Sequence, residues 1–142
     1  MSNILAGIGR GQMEVITNRI EQRRNNFLFY KKNLSEIEGI WFLEEPDEYY
    51  LSNHWLTTIL IDPEKTGKTR EGLQIALEKE NIESRPLWKP MHRQPVFAEC
   101  KAYLNGVSDE LFKNGLCLPS GSNMSDRDRE RVLEAILKYL KN

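Results

Sequence analysis

The chain has 142 residues, enough to bury one core and too few for a two-domain enzyme of the usual kind. Its 20 Lys and Arg nearly balance 21 Asp and Glu, so no global field favours nucleic acid or an anionic membrane surface. The longest apolar runs fall far below membrane-spanning length and no signal-like segment is present, so a cytoplasmic location is expected, with Cys100 and Cys117 as free thiols.

The first element runs from Ile4 to about Leu34, with Ile4, Leu5, Ile8, Val15, Ile16, Ile20, Phe27 and Tyr30 at helical spacing and Asn3 at the N-cap position. One long amphipathic helix over about 3–34 is expected, followed by an α+β unit over about 35–142, the whole forming a single domain. Gly7, Gly9 and Gly11 each weaken a helix by about 1 kcal/mol relative to Ala, so close approach of another segment is expected to compensate them. A phosphate-loop reading of that G-x-G spacing is disfavoured, because no strand precedes it.

Gly39–Leu43 reads as a short strand and Trp55–Asp62 as the central one, rich in β-branched residues and closed by Pro63. Thr69 caps a helix reaching to about Asn81, with Leu73, Ala76 and Leu77 on its buried face. Ile82–Arg85 reads as a short strand stopped by Pro86. Asn105–Gly115 contains a short helix capped by Ser108, and Leu116–Pro119 is a strand. Ser125 and Asp128 form a capping pattern for the last helix, whose stripe is Val132, Leu133, Ile136, Leu137 and Leu140. The sum is an α+β sandwich, with helices on one face of a small, mostly antiparallel sheet.

With two histidines and cysteines seventeen residues apart, no ligand set stands at zinc spacing, so no metal site is expected. Neither a nucleophile elbow nor a Walker motif occurs. The densest polar-aromatic segment is Glu83–Phe97, E-S-R-P-L-W-K-P-M-H-R-Q-P-V-F. Its three prolines within ten residues forbid a regular helix or central strand and display Arg85, Trp88, Lys89, His92 and Arg93 from an ordered loop. Such a loop suits an anionic, ring-containing ligand, since Arg holds phosphate or carboxylate, Trp offers a stacking face, and His donates or accepts. It equally suits a rigid connector whose Trp plugs the core. His54 reads as a packed or surface histidine, and Pro119–Asn123 as a turn plus a cap in preference to an anion nest.

Four segments carry a resemblance. M-S-N-I-L-A-G-I-G-R-G-Q-M, N-H-W-L-T-T-I-L-I-D, R-P-L-W-K-P-M-H-R-Q-P-V-F and G-L-C-L-P-S-G-S-N-M-S-D are similar, in this order, to the C-terminal small domain of the DegT/DnrJ/EryC1/StrS family of pyridoxal-phosphate-dependent sugar aminotransferases. The W-K-P-M-H-x-Q-P form most resembles members that aminate a 4-keto sugar nucleotide, including the UDP-linked bacillosamine branch.

The resemblance implies an aspartate-aminotransferase-type small domain, a nucleotide-linked keto-sugar as substrate, and a role in cell-surface polysaccharide or glycan synthesis. It places Arg85, Trp88 and His92 at the substrate mouth. Asn3 adjoins a family segment that reaches toward the cofactor of a neighbouring subunit, which also implies a homo-oligomer. The family's Schiff-base lysine and most cofactor contacts belong to the large domain, expected upstream of Met1. No catalytic residue is therefore expected in this chain and no pyridoxal phosphate bound covalently to it. The competing expectations are a non-catalytic interaction module that kept this fold, and one half of a split aminotransferase.

Overall fold

The computed structural model describes residues 2–141. Helix α1 (Asn3–Glu14) is capped by Ser2, whose side chain accepts from the Leu5 amide at 3.3 Å, so Asn3 is the first helical residue and not the cap. At Val15 (φ −113°, ψ 4°) the helical path breaks, and α2 (Ile16–Leu34) begins. The expected single helix is therefore two. Two causes combine: three glycines and then the β-branched run Val15-Ile16-Thr17 weaken the helix locally, and α1 buries no residue against another segment that would hold it in register. The expected compensation for Gly7, Gly9 and Gly11 is also not met, because a Cβ at any of them would meet nothing within 4 Å.

The second half of α2 enters the core through Phe27, Tyr30 and Leu34, a three-to-four-residue spacing that places them on one face. Four strands, β1 (Ile40–Phe42), β2 (Thr57–Ile61), β3 (Arg85–Pro86) and β4 (Gly115–Leu118), form a sheet in the order β1-β2-β4-β3 with every neighbouring pair antiparallel. Ile59 lies opposite Phe42 on one side and Leu116 on the other. Strand alternation then puts Ile40, Ile59, Ile61, Leu116 and Leu118 on one face, against Tyr30, Leu73, Leu77, Val132 and Ile136 of the helices. This is the α+β arrangement that the pattern implies.

Strand β3 is shorter and later than the expected Ile82–Arg85, and it includes Pro86. Its place at the sheet edge explains the proline, which lacks an N–H to donate and is tolerated there. Pro63 does more than stop β2. It opens a one-turn helix, α3 (Pro63–Thr66), capped by Asp62.

Helix α4 (Arg70–Lys79) starts as expected at Thr69, which accepts from the Gly72 amide at 3.1 Å. Helix α5 (Val107–Asn114) is not capped by Ser108. Gly106 takes the cap position with φ +82°, and Asn105 Oδ1 accepts from the Val107 amide at 3.2 Å. Its apolar residues Val107 and Leu111 face Trp41 and Leu60, on the sheet side opposite the main core. Gly115 follows directly, and a Cβ there would stand 2.5 Å from the Leu111 carbonyl, so only glycine fits this corner. Helix α6 (Asp126–Lys141) begins with a reciprocal box: the Ser125 amide donates to Asp128 Oδ2 at 2.9 Å, and the Asp128 amide donates to Ser125 Oγ at 3.2 Å.

Candidate functional site: a groove beside the Pro-rich loop

One side of α2 fixes the turn that follows β4. Tyr30 donates its hydroxyl hydrogen to the Pro119 carbonyl at 3.1 Å, Arg23 donates to Ser120 O at 3.3 Å, and Asn26 donates to Gly121 O at 2.9 Å. Burial pushes the Tyr30 phenol well above its ordinary value, opposed by the nearby Arg129 charge, so it stays a neutral donor. Ser120 is itself buried. Its Oγ accepts from the Thr57 amide at 2.8 Å and donates to Leu118 O at 2.9 Å, locking β2 to the turn. The segment 119–123 is a turn in which the carbonyls of Pro119, Ser120 and Gly121 accept from α2.

This turn forms one wall of a groove of about 680 Å³. Ser84, Arg85, Pro86 and Trp88 line it from β3 and the start of the Pro-rich loop, Leu118 from the end of β4, Pro119 and Ser120 from the turn after it, and Met124, Asp128, Arg131 and Val132 from α6 and the turn before it. Arg85 and Trp88 thus share one cavity. Trp88 is 67% exposed, which removes the reading in which it plugs the core. Its neighbour is Trp55, 59% exposed, with ring centroids 6.3 Å apart and planes tilted by 39°. The sequence context of Trp55, at the start of the expected central strand, carries no site signal. It is held by Arg23, which donates to its carbonyl, and by its own amide donating to Asn53 Oδ1 at 2.9 Å.

The groove is electrically mixed. Arg85 and Arg131 face Glu83 and Asp128. Arg85 sits on Glu83 at 2.6 Å, but its side chain is 79% exposed, and a pair this open is worth only about 0–1 kcal/mol. It can therefore be redirected to an anionic ligand at small cost. The bond from the Ser125 side chain holds the Asp128 carboxyl below its ordinary value, so it remains an anion at neutral pH. Cys117 also borders the groove, with its thiol pushed up by burial and so kept unreactive. Among the described residues the groove holds no lysine, no histidine and no nucleophile paired with a base. It presents an aromatic face, two guanidinium groups, two carboxylates and an apolar floor.

His92 does not enter this groove. It lies on α5, with Nε2 2.8 Å from Asp109 Oδ2, while Arg93 stands 3.5 Å from the other oxygen of the same carboxylate. The three expected substrate residues are therefore divided: Arg85 and Trp88 line the groove and His92 does not. Asn3 is exposed at the start of α1 and is not part of the groove lining. His54 is packed, at 7% exposure, against Phe27. Cys100 is exposed and free. Among the described residues no group of His, Cys, Asp and Glu could hold a metal ion, and no helix is long and apolar enough to cross a membrane.

Comparison with known proteins agrees with this architecture. The chain is 44% identical over 141 residues to a "putative pyridoxal phosphate-dependent aminotransferase EpsN" of Bacillus subtilis (strain 168), covering 96% of this chain and 35% of that protein. It is 30% identical over 139 residues to a GDP-perosamine synthase of Escherichia coli O157:H7, covering 98% and 36%. Among solved structures, the aminotransferase TlmJ from Streptoalloteichus hindustanus superposes with a TM-score of 0.84 at 20% identity, over 96% of this chain and 36% of that one. DesI, solved in the presence of its TDP-sugar product, superposes with a TM-score of 0.83 at 25% identity, over 99% and 36%. The chain thus spans little more than a third of the length of these relatives. Residues 1–137 match the model of the DegT/DnrJ/EryC1/StrS aminotransferase family, and the chain belongs to that family.

Proposed function

We propose that this chain is the small domain of a pyridoxal-phosphate-dependent aminotransferase acting on a nucleotide-linked keto-sugar, and that its groove forms part of the substrate mouth. The observation that carries the reading is the open Trp88 face beside Arg85 in a cavity of about 680 Å³, in a chain of this family. Trp88 supplies a stacking surface for a planar base or the apolar face of a sugar, and Arg85 a guanidinium for a phosphate oxygen. A TDP-sugar in the DesI structure and the GDP-perosamine synthase relative both favour a nucleotide-linked ligand.

The residues present do not by themselves fit the cofactor. Covalent attachment of pyridoxal phosphate requires a lysine amine poised against it, and the groove contains none. The lysine and the phosphate cradle belong, in this reading, to a large domain, and the complete protein, small and large domain together, is a homo-oligomer in the cytoplasm.

The reading is tested by joining the chain to a large domain of the family and supplying pyridoxal phosphate, an amino-acid donor and a nucleotide-linked 4-keto-sugar. Amination of the sugar is expected, read by the mass of the product. Arg85→Ala and Trp88→Ala are expected to raise KM for the nucleotide sugar with a smaller effect on kcat. An unchanged KM in both variants would remove the groove from the substrate mouth. Binding of the nucleotide sugar without amination by the joined protein would favour a non-catalytic module.

A further inference from the structure

We propose that Asp109, in the first turn of α5, is a positioning residue that decides which nitrogen of His92, on the Pro-rich loop outside the groove, is left free to accept a hydrogen bond. The Asp109 carboxylate receives two successive side chains of the Pro-rich loop, His92 through Oδ2 at 2.8 Å and Arg93 through Oδ1 at 3.5 Å. Both partners of the histidine pair are sheltered, His92 at 19% and Asp109 at 35% side-chain exposure. The loop's backbone bonds around this point are short-range, from Arg93 N to Pro90 O and from Gln94 N to Met91 O, each at 3.0 Å. The carboxylate thus ties the loop to the first turn of α5, while the loop's backbone reaches only the helix's far end, where Leu87 N donates to Gly115 O at 3.2 Å.

An ionised carboxylate only accepts hydrogen bonds, so the His92 nitrogen that faces it must carry a hydrogen. In the neutral ring, Nε2 is then the donor and Nδ1 the acceptor, and among the described residues Nδ1 has no partner. A ligand meeting this ring would be received by Nδ1, which fits a hydroxyl donor such as that of a sugar. Without Asp109, no carboxylate faces Nε2 to select the tautomer, while the loop keeps its contact with α5 through Arg93 over the Phe112 ring at 6.0 Å.

The test is nitrogen NMR of the imidazoles in the 142-residue chain at about pH 8, above the ordinary imidazole range. The chain has two histidines, so the buried His54 serves as an internal reference for an intact core. In the parent, His92 is expected as a single tautomer with Nε2 protonated. Asp109→Ala is expected to shift both His92 nitrogens toward the averaged values of a tautomer mixture, with His54 unchanged, and Asp109→Glu is expected to restore the parent pattern. An Nδ1-protonated ring in the parent would overturn the proposal even if Asp109→Ala failed to fold. So would an Asp109→Ala spectrum identical to the parent's. No substrate enters this measurement, so its failure strikes Asp109 alone, while failure of the KM experiment strikes the mouth reading.

Discussion

The imidazole of His54 lies flat on the ring of Phe27, with centroids 3.7 Å apart and planes 8° from parallel. His54 holds an unusual backbone, φ +44°, and its amide donates to Ser52 Oγ at 3.0 Å, so the packed ring fixes the loop that leads into β2. Burial keeps its pKa below the ordinary value, helped by Arg24 and Lys31, with Glu45 opposing. Above the ordinary imidazole value of about 6.5, the ring is neutral in both folded and unfolded chain. Below it, the unfolded chain takes up a proton that the folded chain refuses, so stability falls with pH until the folded value is reached. Melting temperature is expected to decline as the pH falls below about 6.5. His54→Asn, which tolerates the left-handed backbone, should flatten that decline in a pH series of thermal melts. An equally steep decline in the variant would assign it to other groups.

Ser120 ties β2 to the end of β4 with one hydroxyl, since it accepts from Thr57 and donates to Leu118, and it sits in the turn clasped by Tyr30 and Asn26. Ser120→Ala leaves the buried Thr57 amide without its acceptor. The expected cost is about 1–3 kcal/mol, the penalty of an unsatisfied buried donor. Urea melts measure it, and a loss below about 0.5 kcal/mol, the usual scatter of surface changes, would mean that another acceptor replaces the hydroxyl.

Much of the fold was legible because its signals are local. Thr69, Ser125 with Asp128, and the stripe through Val132 and Ile136 combine a cap with a period, and each appears where its spacing places it. What depended on distant partners was not legible. The break at Val15 follows from α1 having nothing to pack against, and the pairing of Pro86 follows from β3 being an edge strand, which only the strand order reveals. At the site, the Pro-rich loop identified Arg85 and Trp88 but not the separation of His92 from them, which is set by Asp109 seventeen residues later. Trp55 escaped for the same reason. Its partner Trp88 is 33 positions away in the chain, and no periodicity links two loops.

Helix α1 carries Ile4, Leu5, Ile8 and Met13 at 57–76% exposure and buries no side chain. An apolar face this open favours association when nothing else covers it. The chain is expected to sediment as a concentration-dependent mixture, and Ile4→Glu with Ile8→Glu to return it to the monomer without changing its melt. A parent that stays monomeric at high concentration would show that this face is tolerated in water.

Trp88 separates a binding wall from a structural one. At 67% exposure, with its contact to Trp55 at the surface, its truncation removes little buried area, so Trp88→Ala should change stability by less than about 1 kcal/mol. Ile136, fully buried between α6 and the sheet, is the contrast, and Ile136→Ala should cost about 2–5 kcal/mol. Function should reverse the order. In the protein joined to its large domain, Trp88→Ala should weaken capture of the nucleotide sugar by about tenfold, the value of a lost stacking contact of roughly 1–1.5 kcal/mol. Ile136→Ala should leave KM near the parent value at temperatures where it remains folded. Paired denaturant melts and KM measurements on the two variants decide the matter. If Trp88→Ala unfolds as early as Ile136→Ala, the indole is a structural prop and its place in the substrate mouth must be withdrawn.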